Sequence, residues 1–591
     1  MHAEILSLTK IFTGDVRFQI PMYQRPYVWT EEDQWEPLWN DIEALAERIL
    51  AGEPNVSPHF MGAIVVAQQS APVGDLNIRH VVDGQQRLTT LQLLLDAVEE
   101  IVRTHGREKD SHRLRPLILN NVHLHEGDDR FKVWPTNVDR DAFRAAMDDK
   151  AEVPDDFADQ NIAQAHEVFK RLARAWADVL GDPDKCANRL QALTTSLIGH
   201  LQIAVIDLTP DDNAQAIFET LNARGTPLLV SDLVKNSLLQ ASESLGLDTD
   251  ALYREHWEPF DHQGWRADVR IGRLFWPKID VFIYQWLVMN LAREVPTQQM
   301  FNEFNTLVSA RGLDPAEVMA ELQRFARIYQ NLDDAPTDHS PTGRFFYRWG
   351  TMQASALTPL LMWIHAHAGP VNDVTPILAM LESWLVRRML CRSGTKGYSH
   401  FLHSLLKELA DADPSEAEEI IHRRLLAAEA EGTTWPTDAQ IRSAVLTNPI
   451  YRQLRRDRLR FVLEGIEDFG RDDKVEQWCP TNLTVEHVMP QHWSPNWPIG
   501  DDPTGERTLE RSNLIHTLGN LSLVTNRLNP SLSNSAWAEK RVALREHSVL
   551  LLSDQLLESD AWHEEAILER GRRMADVICE IWPRPTGPTE D

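Results

Sequence analysis

Apolar residues recur at helical spacing over Leu88–Val102, where Leu91, Leu94, Leu95, Val98 and Ile101 share one face. The preceding run, Asn77–Val82, is β-prone, and Phe60–Val66 reads as a buried strand. The pattern predicts strands at Asp15–Ile20, Met61–Gln68, Ile78–Val82 and Leu201–Leu208 with helices between them, so residues 1–240 form an α+β domain. From 241 to 432 the periodicity is nearly all helical, as in Ala356–Ala368 and Thr375–Arg388, with breaks at Pro296, Asp333–Gly343 and Gly394–Gly397. Trp435-Pro436-Thr437 marks a boundary, and a third domain runs over 433–583 before a frayed acidic tail, 584–591. In that domain Leu483–Val488 and Leu521–Thr525 read as short strands. Ser533–Glu546 reads as a helix with Ser533 as N-cap and Trp537, Val542 and Leu544 on or near its buried side. The expected class is α+β, mostly helical.

The length of 591 residues is enough for about three domains with ample core. Phe282–Leu291 is apolar, but it is too short to span a bilayer and is flanked by Asp280 and Arg293, so it reads as a buried helix and no membrane partner is expected. Met1-His2-Ala3-Glu4 lacks the basic and apolar blocks of a signal peptide. The four cysteines, Cys186, Cys391, Cys479 and Cys579, are scattered without a Cys-x-x-Cys pair. This points to a reducing cytoplasm, no disulfide framework and no structural zinc.

The most chemically informative stretch is Thr484-Val485-Glu486-His487-Val488-Met489-Pro490, followed by Leu518-Gly519-Asn520-Leu521 and, nine residues after Asn520, Asn529. Cleaving a phosphodiester needs a base to deprotonate water and a divalent cation to neutralise developing charge. His487 can be that base. Glu486 and Asn529 offer the hard oxygen ligands that suit Mg²⁺ or Mn²⁺ with several waters retained. Pro490 ends the first strand, which leaves His487 near a loop, and strand, long loop, strand, helix is the order of a ββα-metal finger. Asn534 is a weaker substitute for Asn529, and His492 and His516 are expected to support the site or face DNA.

A second constellation lies near the N-terminus. Asp83-Gly84-Gln85-Gln86-Arg87 joins a strand to a helix, and a glycine turn at a helix start presents unpaired backbone N–H groups to an anion. Arg87 adds a planar fork for phosphate and Asp83 a hard ligand for its metal. The bland alternative is a strand-turn-helix connection whose polar residues cap the helix.

With Ile20-Pro21-Met22-Tyr23-Gln24-Arg25-Pro26-Tyr27-Val28-Trp29, Phe60–Val66 and Phe218–Gly225 running on to Asp232–Asn236, this constellation resembles the ParB/sulfiredoxin-like NTPase domain of the GmrSD family, type IV modification-dependent restriction enzymes. Glu486–Pro490, Asn520 and Asn529 likewise resemble the HNH, or His-Me finger, nucleases, the domain to which that family fuses its NTPase part. The resemblance implies that Asn520 fixes the loop that orients His487. It also implies that Asp83, Gly84, Gln85, Gln86 and Arg87 bind NTP, ATP or GTP, with Tyr23, Gln24, Arg25, Asn222 and Arg224 lining the same pocket or its communication with DNA. Tyr27 or Trp29 is assigned to packing, since the two alternate with Val28.

The implied function is a nucleotide-regulated, metal-dependent endonuclease that cleaves modified phage DNA, with homodimerisation left open. The alternatives are an RNA-cleaving abortive-infection effector and a non-catalytic ParB-like DNA-binding regulator. A net charge of −29 repels DNA on average, so local basic surface must bind it. Candidates are Arg452, Arg455, Arg456, Arg458 and Arg460, with Lys540, and in the middle Arg387, Arg388, Arg392 and Lys396. Arg452, Arg455, Arg456 and Leu459 follow helical spacing and are expected on one face.

Overall fold

The computed structural model describes residues 2–22, 24–68, 76–148, 155–178, 182–209, 229–271, 274–471, 478–480, 482–529 and 534–585. Tyr23, Asn222, Arg224 and Ser533 lie outside these residues. The chain divides into two compact units, Met1–His262 with Asp314–Met319, and Gln263–Leu313 with Ala320–Asp591.

The first unit is built on a mixed six-stranded sheet of β1 (His2–Ser7), β2 (Val16–Gln19), β3 (His59–Gln68), β4 (Asn77–Asp83), β5 (Val133–Trp134) and β6 (Leu201–Leu208), in the order β1-β6-β3-β4-β2-β5. The β1–β6 and β3–β4 pairs are antiparallel, and β3–β6, β2–β4 and β2–β5 are parallel. All four strands expected from the sequence are present. Its helices include α1 (Glu36–Leu50), α2 (Gln85–Thr104), α3 (Asn161–Ala177) and α4 (Pro183–Gly199).

Helix α2 begins three residues before its apolar periodicity and is buried nearly all round. Its amphipathic stripe understates this burial because α3 covers a side that includes polar residues. There Asp96 meets buried His166 Nε2 at 3.0 Å, and Glu99 accepts a 2.5 Å hydrogen bond from Ser111 on a neighbouring helix. Burial of these groups is tolerated because each has a partner. Tyr27 does pack inward. Its ring stacks on Trp35 at 6.4 Å and its hydroxyl accepts from Trp35 Nε1 at 2.8 Å, while Val28 between Tyr27 and Trp29 is exposed.

The second unit is mostly helical. It contains a two-stranded ribbon of β7 (Asp268–Ile271) and β8 (Leu274–Pro277), then α5 (Lys278–Leu291), α6 (Thr375–Cys391), α7 (Asp438–Thr447) and α8 (Arg456–Phe469). The apolar run at Phe282–Leu291 is the buried helix α5. The stretch Ala356–Ala368 is helical but changes pitch, with an α segment Thr358–Trp363 followed by a wider turn over Ile364–Ala368. A second antiparallel ribbon follows, β9 (Thr484–His487) with β10 (Leu521–Val524), and then α9 (Trp537–His547) and α10 (Glu564–Ile581). Helix α9 buries Trp537 and Leu544, but Val542 is exposed, against expectation. Val542 lies five residues after Trp537, which turns it away from the face that Trp537 and Leu544 share.

Candidate functional site

In the β9–β10 ribbon, Thr484 faces Val524, Glu486 faces Ser522 and His487 faces Leu521. Strand alternation puts Thr484 and Glu486 on one face and His487 on the other. The chain leaves β9 through a loop fixed by Asn520, which is fully buried. Its Oδ1 accepts from Met489 N at 2.8 Å and from Trp562 Nε1 at 3.0 Å, and its Nδ2 donates to Met489 O and Ile515 O, each at 2.9 Å. One carboxamide therefore ties the residue before Pro490 to both strands' neighbourhood, and every polar atom of that side chain is used. Gly519 lets this turn lie against α10, since a Cβ there would come within 2.2 Å of Ile567 O. Buried Arg570 on α10 donates to Gly519 O and Leu521 O at 2.8 and 2.7 Å.

His487 is buried at the centre of a ring cluster. Its Nε2 lies 3.2 Å from His516 Nδ1, and the Tyr451 ring meets it edge-on at 4.0 Å between centroids. Tyr451 N donates to His516 O at 3.0 Å, and the Arg456 guanidinium lies over the Tyr451 ring at 3.4 Å. Burial, followed by His516, Lys540, Arg456 and Arg452, pushes the His487 imidazole down to about 3. Burial and the same two arginines push His516 down to about 4. Both rings are therefore neutral near pH 7, so one proton lies between Nε2 and Nδ1. If His516 donated it, His487 would carry its other proton on Nδ1 and have no lone pair to act as a base. If His487 donates it from Nε2, its Nδ1 is an acceptor.

On the other face, the Lys540 ammonium donates to Glu486 Oε1 at 2.9 Å and to His487 O at 2.7 Å. Lys540 was expected at a DNA-contacting surface, but it is 1% exposed and its charge is compensated within the fold. Burial lowers its pKa, which Glu486 partly restores. Asn529 Nδ2 donates to Thr484 Oγ1 at 3.0 Å, which leaves its carbonyl oxygen for another partner beside the face that carries Glu486. One carboxylate held on a single oxygen and one carboxamide oxygen form a hard donor set, which fits Mg²⁺ or Mn²⁺ with water completing the shell. His492 is exposed, whereas His516 is buried against His487, in the supporting place. The sequence reading missed Tyr451, Thr484 and Trp562. Trp562 lies more than forty residues from the loop it helps to fix, and local sequence carries no signal for such a contact.

In the first unit, Gly84 caps α2 with φ +92°, and a Cβ there would meet Ile64 Cγ2 at 2.6 Å, so only glycine makes this strand-to-helix turn without strain. The two glutamines that follow are committed to backbone. Gln85 Nε2 donates to Arg25 O at 3.0 Å, Gln86 Nε2 donates to Pro26 O at 3.0 Å, and Gln86 Oε1 accepts from Val28 N at 2.8 Å. Gln24 Nε2 reaches back to Val81 O and Val82 O at 2.5 and 3.0 Å. These five hydrogen bonds stitch residues 24–28 to β4 and the β4–α2 turn. Arg87 is half-buried and donates to Ala63 O, beneath Gly62, where a Cβ would press on the guanidinium at 3.1 Å. Its pKa is lowered by burial and raised by Asp83. The structure thus brings Gln24, Arg25, Asp83, Gly84, Gln85, Gln86 and Arg87 together, with the glutamines acting as clamps.

The basic clusters are redistributed. Arg387 and Arg388 are buried and bind main-chain carbonyls, Arg387 at Pro436 O (3.0 Å) and Arg388 at Gly432 O (2.7 Å), so neither is free to meet DNA. The 452–460 cluster is not one helical face. A short helix ends at Gln453, Arg455 is the N-cap of α8 and Leu459 is core. Arg452, Arg455 and Arg456 are exposed, and Arg455 pairs with Asp457 at 2.7 Å. Arg452 and Arg456 raise the positive potential at the His487–His516 pair.

Against protein-family models, residues 6–239 match the GmrSD restriction endonuclease N-terminal domain and residues 435–577 match the GmrSD restriction endonucleases C-terminal domain. Both matches define a restriction endonuclease, whose substrate is DNA. The chain belongs to the GmrSD restriction endonuclease family. A search of curated proteins found no match. Among the described residues no helix is long and apolar enough to cross a membrane.

Proposed function

We propose that the protein is a nucleotide-regulated, divalent-metal-dependent endonuclease that cleaves modified foreign DNA, such as that of phage, with a C-terminal HNH-type site and an N-terminal ParB-like NTPase part. The observation that carries the nuclease reading is the buried His487–His516 pair next to the Asn520-tied loop. In the active tautomer His487 donates from Nε2 to His516 Nδ1 and takes a proton from the attacking water at Nδ1. His516 acts by holding that tautomer. Arg452 and Arg456 oppose charge on the imidazole in the free protein, and a bound phosphate would offset them, so base strength rises when DNA arrives. When bound, Mg²⁺ or Mn²⁺ held by Glu486 and Asn529 supplies charge neutralisation at the phosphate. Lys540 joins the acid and the base by holding Glu486 Oε1 and His487 O together.

The nucleotide reading rests on the Gly84 turn, whose following amides open α2, with Asp83 and Arg87 beside it. Nucleotide phosphates there would be sensed by residues 24–28 through the two glutamine clamps. Incubating the protein with modified and unmodified phage DNA, with and without ATP or GTP and Mg²⁺ or Mn²⁺, tests both parts. His487→Ala should lose on the order of 10²-fold or more in turnover with DNA binding intact. Asp83→Ala should abolish the response of cleavage to nucleotide. Cleavage independent of His487, or an unchanged nucleotide response in Asp83→Ala, would overturn the corresponding half of the reading.

A further inference from the structure

We propose that His105, Asp178 and Cys186 form a binding site for a zinc ion, separate from the nuclease centre. Their ligating atoms all lie within 4.8 Å of one another, and His105 Nε2 is 3.8 Å from Asp178 Oδ1. Zinc bond lengths near 2.0–2.3 Å to nitrogen, oxygen and sulfur place tetrahedral donors roughly 3.3–3.8 Å apart, so a contraction of about 1 Å closes the set. Asp178 is exposed and His105 and Cys186 are partly exposed at the side chain, so rotamer changes can supply this movement.

Three features point to a cation at this place. His105 Nδ1 lies 2.8 Å from Ile101 O, and a carbonyl can only accept, so Nδ1 carries the proton and Nε2 presents its lone pair toward the Asp178 carboxylate. Two acceptor lone pairs that face each other across this distance leave room for a cation between them. His105 is the C-cap of α2 and Asp178 the C-cap of α3, so the negative ends of two helix dipoles meet here. Cys186, in the first turn of α4, adds a sulfur donor to the His105 nitrogen and the Asp178 oxygen. Nitrogen, sulfur and one carboxylate oxygen select a borderline ion such as zinc over Mg²⁺, which prefers oxygen ligands only. On binding, the Cys186 thiol releases its proton to solvent, and a fourth position remains for water. The ion would clamp the end of α2, whose beginning carries the Gly84 turn, onto the α3–α4 corner.

Cobalt is the probe that separates this site from the nuclease centre, which offers no sulfur ligand. Metal-stripped full-length protein titrated with Co²⁺ should develop a thiolate-to-cobalt charge-transfer band that saturates at one equivalent. The band should be absent in Cys186→Ser and kept in Cys391→Ser. His105→Ala should weaken zinc binding on the order of 10²-fold or more, measured by competition with a chromophoric chelator, because loss of even an outer-shell partner costs 10–100-fold. Circular dichroism should show the variants folded. A wild-type protein without the band, or a Cys186→Ser variant that keeps it, overturns the proposal. A site that is only a His105–Asp178 charge pair would give that first result.

Discussion

Replacing Asn520 with alanine tests whether one buried carboxamide holds the loop that presents His487. The substitution removes four hydrogen bonds and leaves Met489 N, Met489 O, Ile515 O and Trp562 Nε1 without their partner in a site with 0% exposure at residue 520. A buried polar group left unpaired costs about 1–3 kcal/mol, but a water entering the vacated space recovers part of that, so a net destabilisation of roughly 4 kcal/mol is expected. Asn520→Asp is the sharper comparison. It keeps the acceptor toward Met489 N and Trp562 Nε1 but turns a carboxylate oxygen toward two carbonyls, so it should be less stable at pH 8 than at pH 5, where the acid can protonate and donate one bond. Urea unfolding followed by circular dichroism reports the stability, and cleavage of modified DNA measured well below the transition reports on His487. Turnover should fall in Asn520→Ala even where the protein is folded, by about 10²-fold if the base is mispositioned. A variant with wild-type urea midpoint and wild-type turnover would refute the assignment of Asn520 as the loop tie.

Further outcomes follow from the same geometry. Burial pushes Asp139 up to about 6 despite hydrogen bonds from Thr136 Oγ1 and Tyr27 N. Its folded value exceeds the unfolded one near 3.9, so stability from this group is full below pH 4 and lost as pH rises through 6. Asp139→Asn should therefore gain about 1.4 kcal/mol relative to wild type on going from pH 5 to pH 8, and an equal offset at both pH values counts against this. Gly84→Ala, with φ +92° and its Cβ 2.6 Å from Ile64 Cγ2, should cost roughly 3 kcal/mol and weaken nucleotide binding in calorimetry; unchanged affinity would detach the turn from the nucleotide. Glu486→Gln and Asn529→Ala should each raise the metal concentration that gives half-maximal cleavage, and a variant with unaltered metal dependence is no ligand. Lys540→Met should separate two effects, lower turnover because His487 O loses its anchor and a lower half-saturating metal concentration because Glu486 Oε1 is released.

The parts of this chain legible in its sequence are those fixed by neighbours along the chain. Strands β2, β3, β4 and β6, the helix after Asp83 and the short strands beside Glu486 and Asn520 follow from alternation, helical spacing and glycine or proline punctuation. Charge was misread for the opposite reason. Arg387 and Lys540 look like surface cations because burying a charge is costly, and only the tertiary structure shows the carbonyls and the carboxylate that compensate them. Cysteine spacing along the chain carries no signal for contacts between distant segments. No Cys-x-x-Cys pair exists, yet folding brings Cys186 to a histidine eighty-one residues earlier.

The two sites share a design in which a carboxamide side chain positions the chemistry without carrying it. At the C-terminal site Asn520 binds the loop after His487, and under the proposed function the imidazole keeps Nδ1 as the base. At the N-terminal turn Gln85 and Gln86 bind the backbone of residues 25–28, while under the proposed function the helix amides and Arg87 would meet phosphate and Asp83 its metal. A carboxamide suits this position because it donates and accepts at fixed geometry and stays uncharged at every pH, so it adds no field to the titrating groups beside it. A carboxylate in any of these places would alter its neighbours. Beside His487 it would raise the proton affinity of the imidazole, and in place of Gln85 or Gln86 it would add a second negative charge to that of Asp83 at the α2 N-terminus. The Asp-Gly-Gln-Gln-Arg motif is then two interleaved devices. Under the proposed function Asp83, Gly84 and Arg87 would meet the ligand, and Gln85 and Gln86 would pass its binding to the segment running through Tyr27, whose hydroxyl meets Thr90 on the same helix at 2.6 Å.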